Sequence, residues 1–256
     1  MFEWIILFLA GIGAGIATEL VGASAVMVAA PLLIIFLGYP AYLAIGLALS
    51  IDVFASLIST IIYYKHGRLK LKRSSILLIS ALAAVLIGSY FSKNIPSDNL
   101  GFITGIGIIL AGISIIVKKK KRFKASKKSE FLSKHKIILL ILVGLLIGTI
   151  AGVFGAGGGI MILLALILIL DYNTHEAIGT SVFLMIFIAL FGGVAHYINL
   201  QFSLNSLIIA SFGGIIGAFV ASKFANKLDE KILNKLVGIV IIILGLMLSS
   251  KNLFFL

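Results

Sequence analysis

The chain has 256 residues, 61% of them hydrophobic and 12% charged, with a net charge of +12 and no cysteine. Soluble domains run at about half apolar and about a quarter charged, so this composition specifies an all-α polytopic membrane protein embedded in a lipid bilayer. It excludes disulfides and thiolate metal sites, and the lysines fall in short segments between apolar runs, the pattern of cytoplasmic loops and not of a nucleic-acid surface.

The start, Met-Phe-Glu-Trp, has no Lys or Arg ahead of the apolar run. It reads as a first membrane segment and not as a signal peptide. Residues 5–37 form one long apolar stretch broken at Thr18-Glu19-Leu20-Val21-Gly22-Ala23-Ser24. An unbroken helix of that length would be about 50 Å long, against about 30 Å of hydrocarbon. The stretch therefore bends, either as two short crossings or as a re-entrant pair meeting near Gly22, and Gly38-Tyr39-Pro40 ends it with turn chemistry.

Residues 41–64 form the next span, with Asp52 inside it, followed by a basic segment, 65–73. Spans at 74–92 and 100–117 enclose the short loop 93–99. Segment 118–136 is the longest polar stretch, rich in lysine, and reads as a cytoplasmic linker that also attracts anionic lipid. A second long apolar run, 137–170, is broken by Phe154-Gly155-Ala156-Gly157-Gly158-Gly159-Ile160. Glycine costs about 1 kcal/mol relative to alanine in a helix, so four in five positions predict an unwound segment. In hydrocarbon such a segment is tolerated only where protein or a water-lined cavity surrounds it. Spans at 177–198, 206–222 and 232–249 complete the chain.

The two broken runs correspond at an offset of 133 residues. Gly11, Gly15 and Gly22 meet Gly144, Gly148 and Gly155; Tyr39 meets Tyr172; Ala44-Ile45-Gly46 meets Ala177-Ile178-Gly179; Tyr64 meets Tyr197. With a small gap, Ile87-Gly88 meets Ile216-Gly217. The chain is thus read as two repeats, 1–117 and 137–256, each a broken or re-entrant run followed by three transmembrane helices and joined by the 118–136 linker. Placing 65–73 and 118–136 inside, and letting each broken run begin and end on one side, puts both termini outside and the lysines at 223–235 inside. This fits the positive-inside rule and makes the halves inverted repeats, an arrangement found in secondary transporters.

The glycine-rich break lacks the Lys-Ser/Thr of a P-loop and the βαβ context of a dinucleotide site. What remains is the chemistry of half-helix N-termini, whose free N–H groups and positive dipole ends suit an anion. The substrate-binding candidates are Gly22, Ala23 and Ser24 at the first break, Gly155, Gly157, Gly158 and Gly159 at the second, and the hydroxyls Ser50, Thr180 and Ser181 downstream of the shared Ala-Ile-Gly. The alternatives are helix packing for the glycines and hydroxyl bonds to their own backbone. Membrane-embedded carboxylates are costly and usually pair or carry protons, which makes Asp52 and Glu19 the proton-coupling candidates; Glu19 could instead be interfacial. Trp4, Tyr63, Tyr64, His66, Tyr90, His196 and Tyr197 lie near span ends and read as interface anchors. The glycine faces Gly101/Gly105 and Gly213/Gly217 suit either a homodimer or packing within one chain.

The run Gly148-Thr-Ile-Ala-Gly-Val-Phe-Gly-Ala-Gly-Gly-Gly159, with Ala177-Ile178-Gly179-Thr180-Ser181 after it, resembles the TauE/SafE sulfite exporter family. The first half follows as Gly15 to Pro31-Leu32-Leu33 and Ala44-Ile45-Gly46. The resemblance covers essentially the whole chain. It implies an inner-membrane permease, often an exporter, for small anions such as sulfite, sulfoacetate or related organic acids. The chain departs from the family pattern at Ala23-Ser24-Ala25, where a glycine-rich run is usual, and at Leu164, where the first half has Pro31. No nucleophile–base pair or metal constellation points to an enzyme, and no cofactor is implied. The expectation is a secondary transporter of a small anion, with an uncoupled channel or facilitator as the alternative.

Overall fold

The computed structural model describes residues 2–117, 136–155, 158–197, 203–225 and 230–254. The linker residues 118–135, the loop residues 199–202 and Gly157 lie outside the described residues. Ten α-helices are described: α1 (Phe2–Val21), α2 (Val26–Phe36), α3 (Ala41–Lys65), α4 (Ser75–Ser92), α5 (Ser97–Val117), α6 (Lys136–Phe154), α7 (Gly158–Leu168), α8 (Thr174–Tyr197), α9 (Leu204–Ala225) and α10 (Glu230–Phe254). Seven of them are long and apolar enough to cross a bilayer: α1, α3, α4, α5, α6, α8 and α9. Their outer faces present Ile79, Leu86, Leu110, Ile138, Leu142, Ile208 and Phe212, an apolar exterior suited to lipid and not to water.

Each broken run is a helical hairpin of one long and one short member. The 20-residue α1 is followed by the 11-residue α2, and the 19-residue α6 by the 11-residue α7. Eleven residues rise about 16 Å, roughly half the hydrocarbon thickness, so α2 and α7 cannot be full crossings. Both hairpins close on their own start. The Tyr39 hydroxyl after α2 donates to Glu3 at the head of α1, at 2.6 Å. Asp171 after α7 lies 3.8 Å from the Lys136 ammonium at the head of α6. Each hairpin therefore returns to the level at which it began.

The 133-residue correspondence recurs in the backbone geometry. Gly22 and Gly155 end α1 and α6 with φ of 68° and 62°, the left-handed conformation that closes a helix C-terminus most readily with glycine. Their N–H groups donate to Thr18 and Ala151, again 133 residues apart. Gly38 and Asp171 repeat the left-handed turn at the far end of each hairpin. Tyr39 then bonds back to Leu33, and Tyr172 to Leu166. The following helices start differently. The first N–H of α3, after Pro40, is taken by the Ser97 hydroxyl at 2.8 Å. At α8, Asn173 and Glu176 exchange side-chain and backbone bonds in a capping box.

The packing partners also repeat. α1 lies along α9, and α6 lies along α4; α3 crosses α8, and α5 crosses α10. Helices α3 and α8 run antiparallel: Tyr42 reaches Ala195, Leu49 faces Gly192, and Tyr63 faces Gly179. So do α5 and α10, where Gly105 meets Gly245 and Gly112 meets Gly238.

Glycine makes these seams possible. A Cβ on Gly11 or Gly15 would overlap the α9 backbone at Ala210 and Gly214, and one on Gly148 would overlap Ala81 of α4. Without a hydrophobic gradient in lipid, membrane helices gain from close van der Waals approach. The glycines proposed above for a homodimer face their own chain. Gly105 packs on Gly245 and Ser249, Gly213 and Gly217 on Phe8 and Ile12, and Gly101 faces Ala41 and Leu248.

Overpacking of this kind costs about 1–3 kcal/mol or more. Gly148→Leu is expected to lower the thermal unfolding midpoint of the purified protein by several degrees. Gly107→Leu, at a position with nothing within 4 Å, is expected to leave it nearly unchanged, and differential scanning fluorimetry of the two variants checks the contrast.

Candidate functional site

The two breaks meet. A Cβ on Gly159 would overlap the carbonyl oxygen of Gly22 and would lie 3.5 Å from the Ser24 nitrogen. A Cβ on Gly155 would press on Ile45 and on Val26 at 3.1 Å. Since Gly22 and Val26 stand 133 residues before Gly155 and Gly159, these two contacts are the same contact made twice. The height of the meeting point follows from Asp52, the twelfth residue of the 25-residue α3, which touches Ser24. Met185, the twelfth residue of the 24-residue α8, holds the matching place in the other half, its sulfur 3.4 Å from a Cβ on Gly158.

Asp52 is fully buried. Its Oδ2 accepts from the Ser24 hydroxyl at 2.7 Å, and its Oδ1 faces the Thr18 hydroxyl at 3.4 Å. The Ala25 amide and the Ser56 hydroxyl also point to this carboxylate. Ala25 is the N-cap residue of α2, so the positive end of that half-helix is directed at an internal acid. Ser24 also lies 3.2 Å from the carbonyl oxygen of Gly155, within one hydroxyl's reach of both breaks.

Glu19 is 2% exposed, which removes the interfacial alternative. Its side chain faces Ser59, and its Oε2 has no hydrogen-bond partner. Ser56 and Ser59 are also buried without partners for their hydroxyls. Many described helix hydroxyls bond a carbonyl three or four residues back, as Ser80, Ser114 and Thr149 do. Asp52, Ser56 and Ser59 follow helical spacing and form one polar stripe of α3, which reaches Glu19 of α1.

The remaining candidates separate into two groups. Ala23, Gly158 and Gly159 are buried at the meeting point. Ser181 stays near it, 3.6 Å from a Cβ on Gly22, while bonding its own helix at Ile178. Ser50 bonds back to Gly46. Thr180 is drawn away: it accepts the Lys70 N–H at 3.1 Å and fastens the basic loop. Lys70 adds an ion pair with Glu176 at 2.7 Å, and its carbonyl accepts from the Tyr172 hydroxyl at 3.0 Å. Gly157 lies outside the described residues.

Two span-end aromatics are not surface anchors. Tyr63 is 8% exposed and His196 fully buried. His196 stacks on Tyr42 with ring centroids 4.3 Å apart, and its Nδ1 lies 2.9 Å from the Gly192 carbonyl. A carbonyl only accepts, so Nδ1 carries the hydrogen, while Nε2 lies 3.3 Å from the Ser92 hydroxyl, which also reaches the Ser89 carbonyl at 3.1 Å. Trp4, Tyr64 and Tyr90 are well exposed, as anchors would be. Thr18 and the Ser56–Ser59 stripe were not singled out above, although the spacing of the stripe from Asp52 is visible in the sequence.

Among known proteins, the chain is similar to the probable membrane transporter protein YunE of Bacillus subtilis (strain 168), at 26% identity over 98% of this chain and 99% of the relative. It is similar to YdhB of the same organism, named in the same way, at 26% identity over 91% and 95% of the two chains. The probable membrane transporter protein MJ0441 of Methanocaldococcus jannaschii matches 49% of each chain at 29% identity. No solved structure matches. The family described as sulfite exporter TauE/SafE matches residues 7–248, nearly the whole length over which the two hairpins and their partner helices extend, and the chain belongs to that family.

Proposed function

We propose that this chain is a secondary permease of the cell membrane that exports a small anion of the sulfite, organosulfonate or related organic-acid class. The anion binds between the two broken helices. The observation that carries this reading is the meeting of two half-helix N-termini at mid-height of α3 and α8, around a buried carboxylate. Half-helix N-termini expose amides and a positive dipole end, and broken helices at the midplane are where secondary transporters hold substrate. The relatives named above carry transporter names, and the family description names sulfite; both support the class.

Asp52 is the coupling group in this reading, and its burial beside the anion site favours a proton-coupled permease over an uncoupled facilitator. The antiparallel course of α3 against α8, and of α5 against α10, supports an inverted relation between the halves. With 65–73 cytoplasmic, both termini are outside.

A thermal-shift screen of the purified protein against sulfite, sulfate, methanesulfonate and simple carboxylates tests the site. At a concentration of about a hundred times Kd, a specific anion adds about 2.7 kcal/mol of stability. The stabilisation is expected to vanish in Gly159→Val, whose side chain would enter the Gly22 carbonyl, and to persist in Gly107→Leu. If no anion stabilises the wild-type protein, the site assignment is wrong.

Because the chain has no cysteine, single replacements report sidedness directly. Lys72→Cys is expected to react with an impermeant maleimide only in inside-out vesicles, and Lys93→Cys only in right-side-out ones. The reverse pattern would invert the orientation.

A further inference from the structure

The carboxylate of Asp52 occupies the first break. It accepts from Ser24 at 2.7 Å, with the Ala25 amide at the head of α2 pointing to it and the Thr18 and Ser56 hydroxyls facing it. These are the donors that an unwound half-helix would offer an external anion, and here an internal one holds them. At the matching place in the second half stands Met185, which brings no charge to the head of α7. One central site framed by two half-helix N-termini thus contains one built-in negative charge.

The geometry points to Asp52 as a built-in competitor of the transported anion: the anion takes the Ser24 and α2 donors only when Asp52 carries a proton, so proton and anion bind together and cross together. This inference rests on the anion site proposed above. Two like charges a few ångströms apart in a medium of low dielectric repel strongly, and a pair sharing one site does not stay doubly ionised. Ser24 has one hydroxyl hydrogen. With Asp52 ionised, that hydrogen goes to Oδ2 at 2.7 Å. With Asp52 protonated, the acid donates to the Ser24 oxygen, and the Ser24 hydrogen, no longer held by the carboxylate, is available to the anion. The proton therefore weakens the hold of Asp52 on the Ser24 hydroxyl and the Ala25 amide, and both donors turn to the anion.

The other titratable groups around α3 are few. α1 brings Glu3, bonded to Tyr39 at its head, and Glu19, which faces Ser59 with one oxygen unpartnered, and α2 brings none. α8 carries His175, Glu176 paired with Lys70 at one end, and His196 stacked on Tyr42 at the other. α5 has Asp98 near the Ala41 end, and α9 holds no charged residue through Ser222. Glu19 is the one acid connected to Asp52 by the Ser56–Ser59 stripe, and the stripe is the proton's way in.

The test measures methanesulfonate binding to the purified full chain from about pH 5 to about pH 9. This probe is fully ionised throughout, so any pH dependence belongs to the protein. Wild-type affinity is expected to fall by up to about tenfold per pH unit in the upper range, the limit for one linked proton. Asp52→Asn, which keeps the shape without the charge, is expected to bind at every pH with the affinity that the wild type reaches at low pH. An Asp52→Asn protein that keeps the wild-type slope, or that loses binding at every pH with its fold intact, overturns the competition. So does pH-independent binding by the wild type, which would leave the anion site standing. If neither methanesulfonate nor sulfite binds either protein, the site itself falls, and this inference with it. Should Asp52→Asn not fold, Thr18→Val, which removes one hydroxyl facing the carboxylate, is expected to move the midpoint of the pH profile while keeping the low-pH affinity. An unmoved midpoint in that variant would overturn the competition as well.

Discussion

Unwound backbone has nowhere to turn in hydrocarbon, and the rest of this molecule follows from how two such stretches are accommodated. Each break frees amides and carbonyls that water cannot reach. The breaks are brought against one another, Gly159 on Gly22 and Gly155 on Val26, and their polar groups are served by side chains from the crossing helices. Only glycine permits the approach, because a single added carbon at Gly159 would occupy the space of a carbonyl oxygen. Gly159 is therefore a condition of contact as well as part of a break in a helix.

Holding two hairpin tips together requires the helices around them to stay in register. The seams of α1 on α9 and of α6 on α4 do this with glycine lanes whose backbones nearly touch. Each hairpin is also fastened at its open end, by Tyr39 to Glu3 in one half and by Lys136 to Asp171 in the other. Glu3 and Lys136 stand at equivalent positions, but Tyr39 corresponds to Tyr172 and Asp171 to Gly38, and one half uses a phenol–carboxylate hydrogen bond where the other uses an ion pair. Geometry has been kept and chemistry exchanged, because closure of the hairpin asks only for a short polar link.

Much of this was legible in the sequence, for a physical reason. Close helix contacts and helix-ending turns demand glycine, so Gly22/Gly155, together with Tyr39/Tyr172 and Ala44-Ile45-Gly46/Ala177-Ile178-Gly179, recur at a constant offset that makes the correspondence of the halves readable. Asp52 and Glu19 stood out because a buried carboxylate in an apolar segment is costly. Side-chain direction was less accessible. Thr180 and Ser181 are neighbours in the chain, yet Thr180 faces the Lys70 loop and Ser181 the first break. Adjacent helical residues point about 100° apart, and only the placement of partner helices decides which faces the centre. His196 was missed for a similar reason: its position at a span end suggests the interface, whereas the crossing of α3 and α8 covers it with Tyr42.

The pairing of Asp52 with Met185 has a consequence for the energy landscape of the whole chain. In a perfectly duplicated two-fold protein, exchanging the shapes of the two halves would produce a mirror conformation of equal energy, and the two would be equally populated. A single acid in one half lifts that degeneracy. The two conformers then differ in free energy by whatever Asp52 gains in one environment over the other, and every 1.4 kcal/mol of that difference is tenfold in their populations. In the permease proposed above, Asp52 is thus one of the side chains that set which orientation is populated at rest.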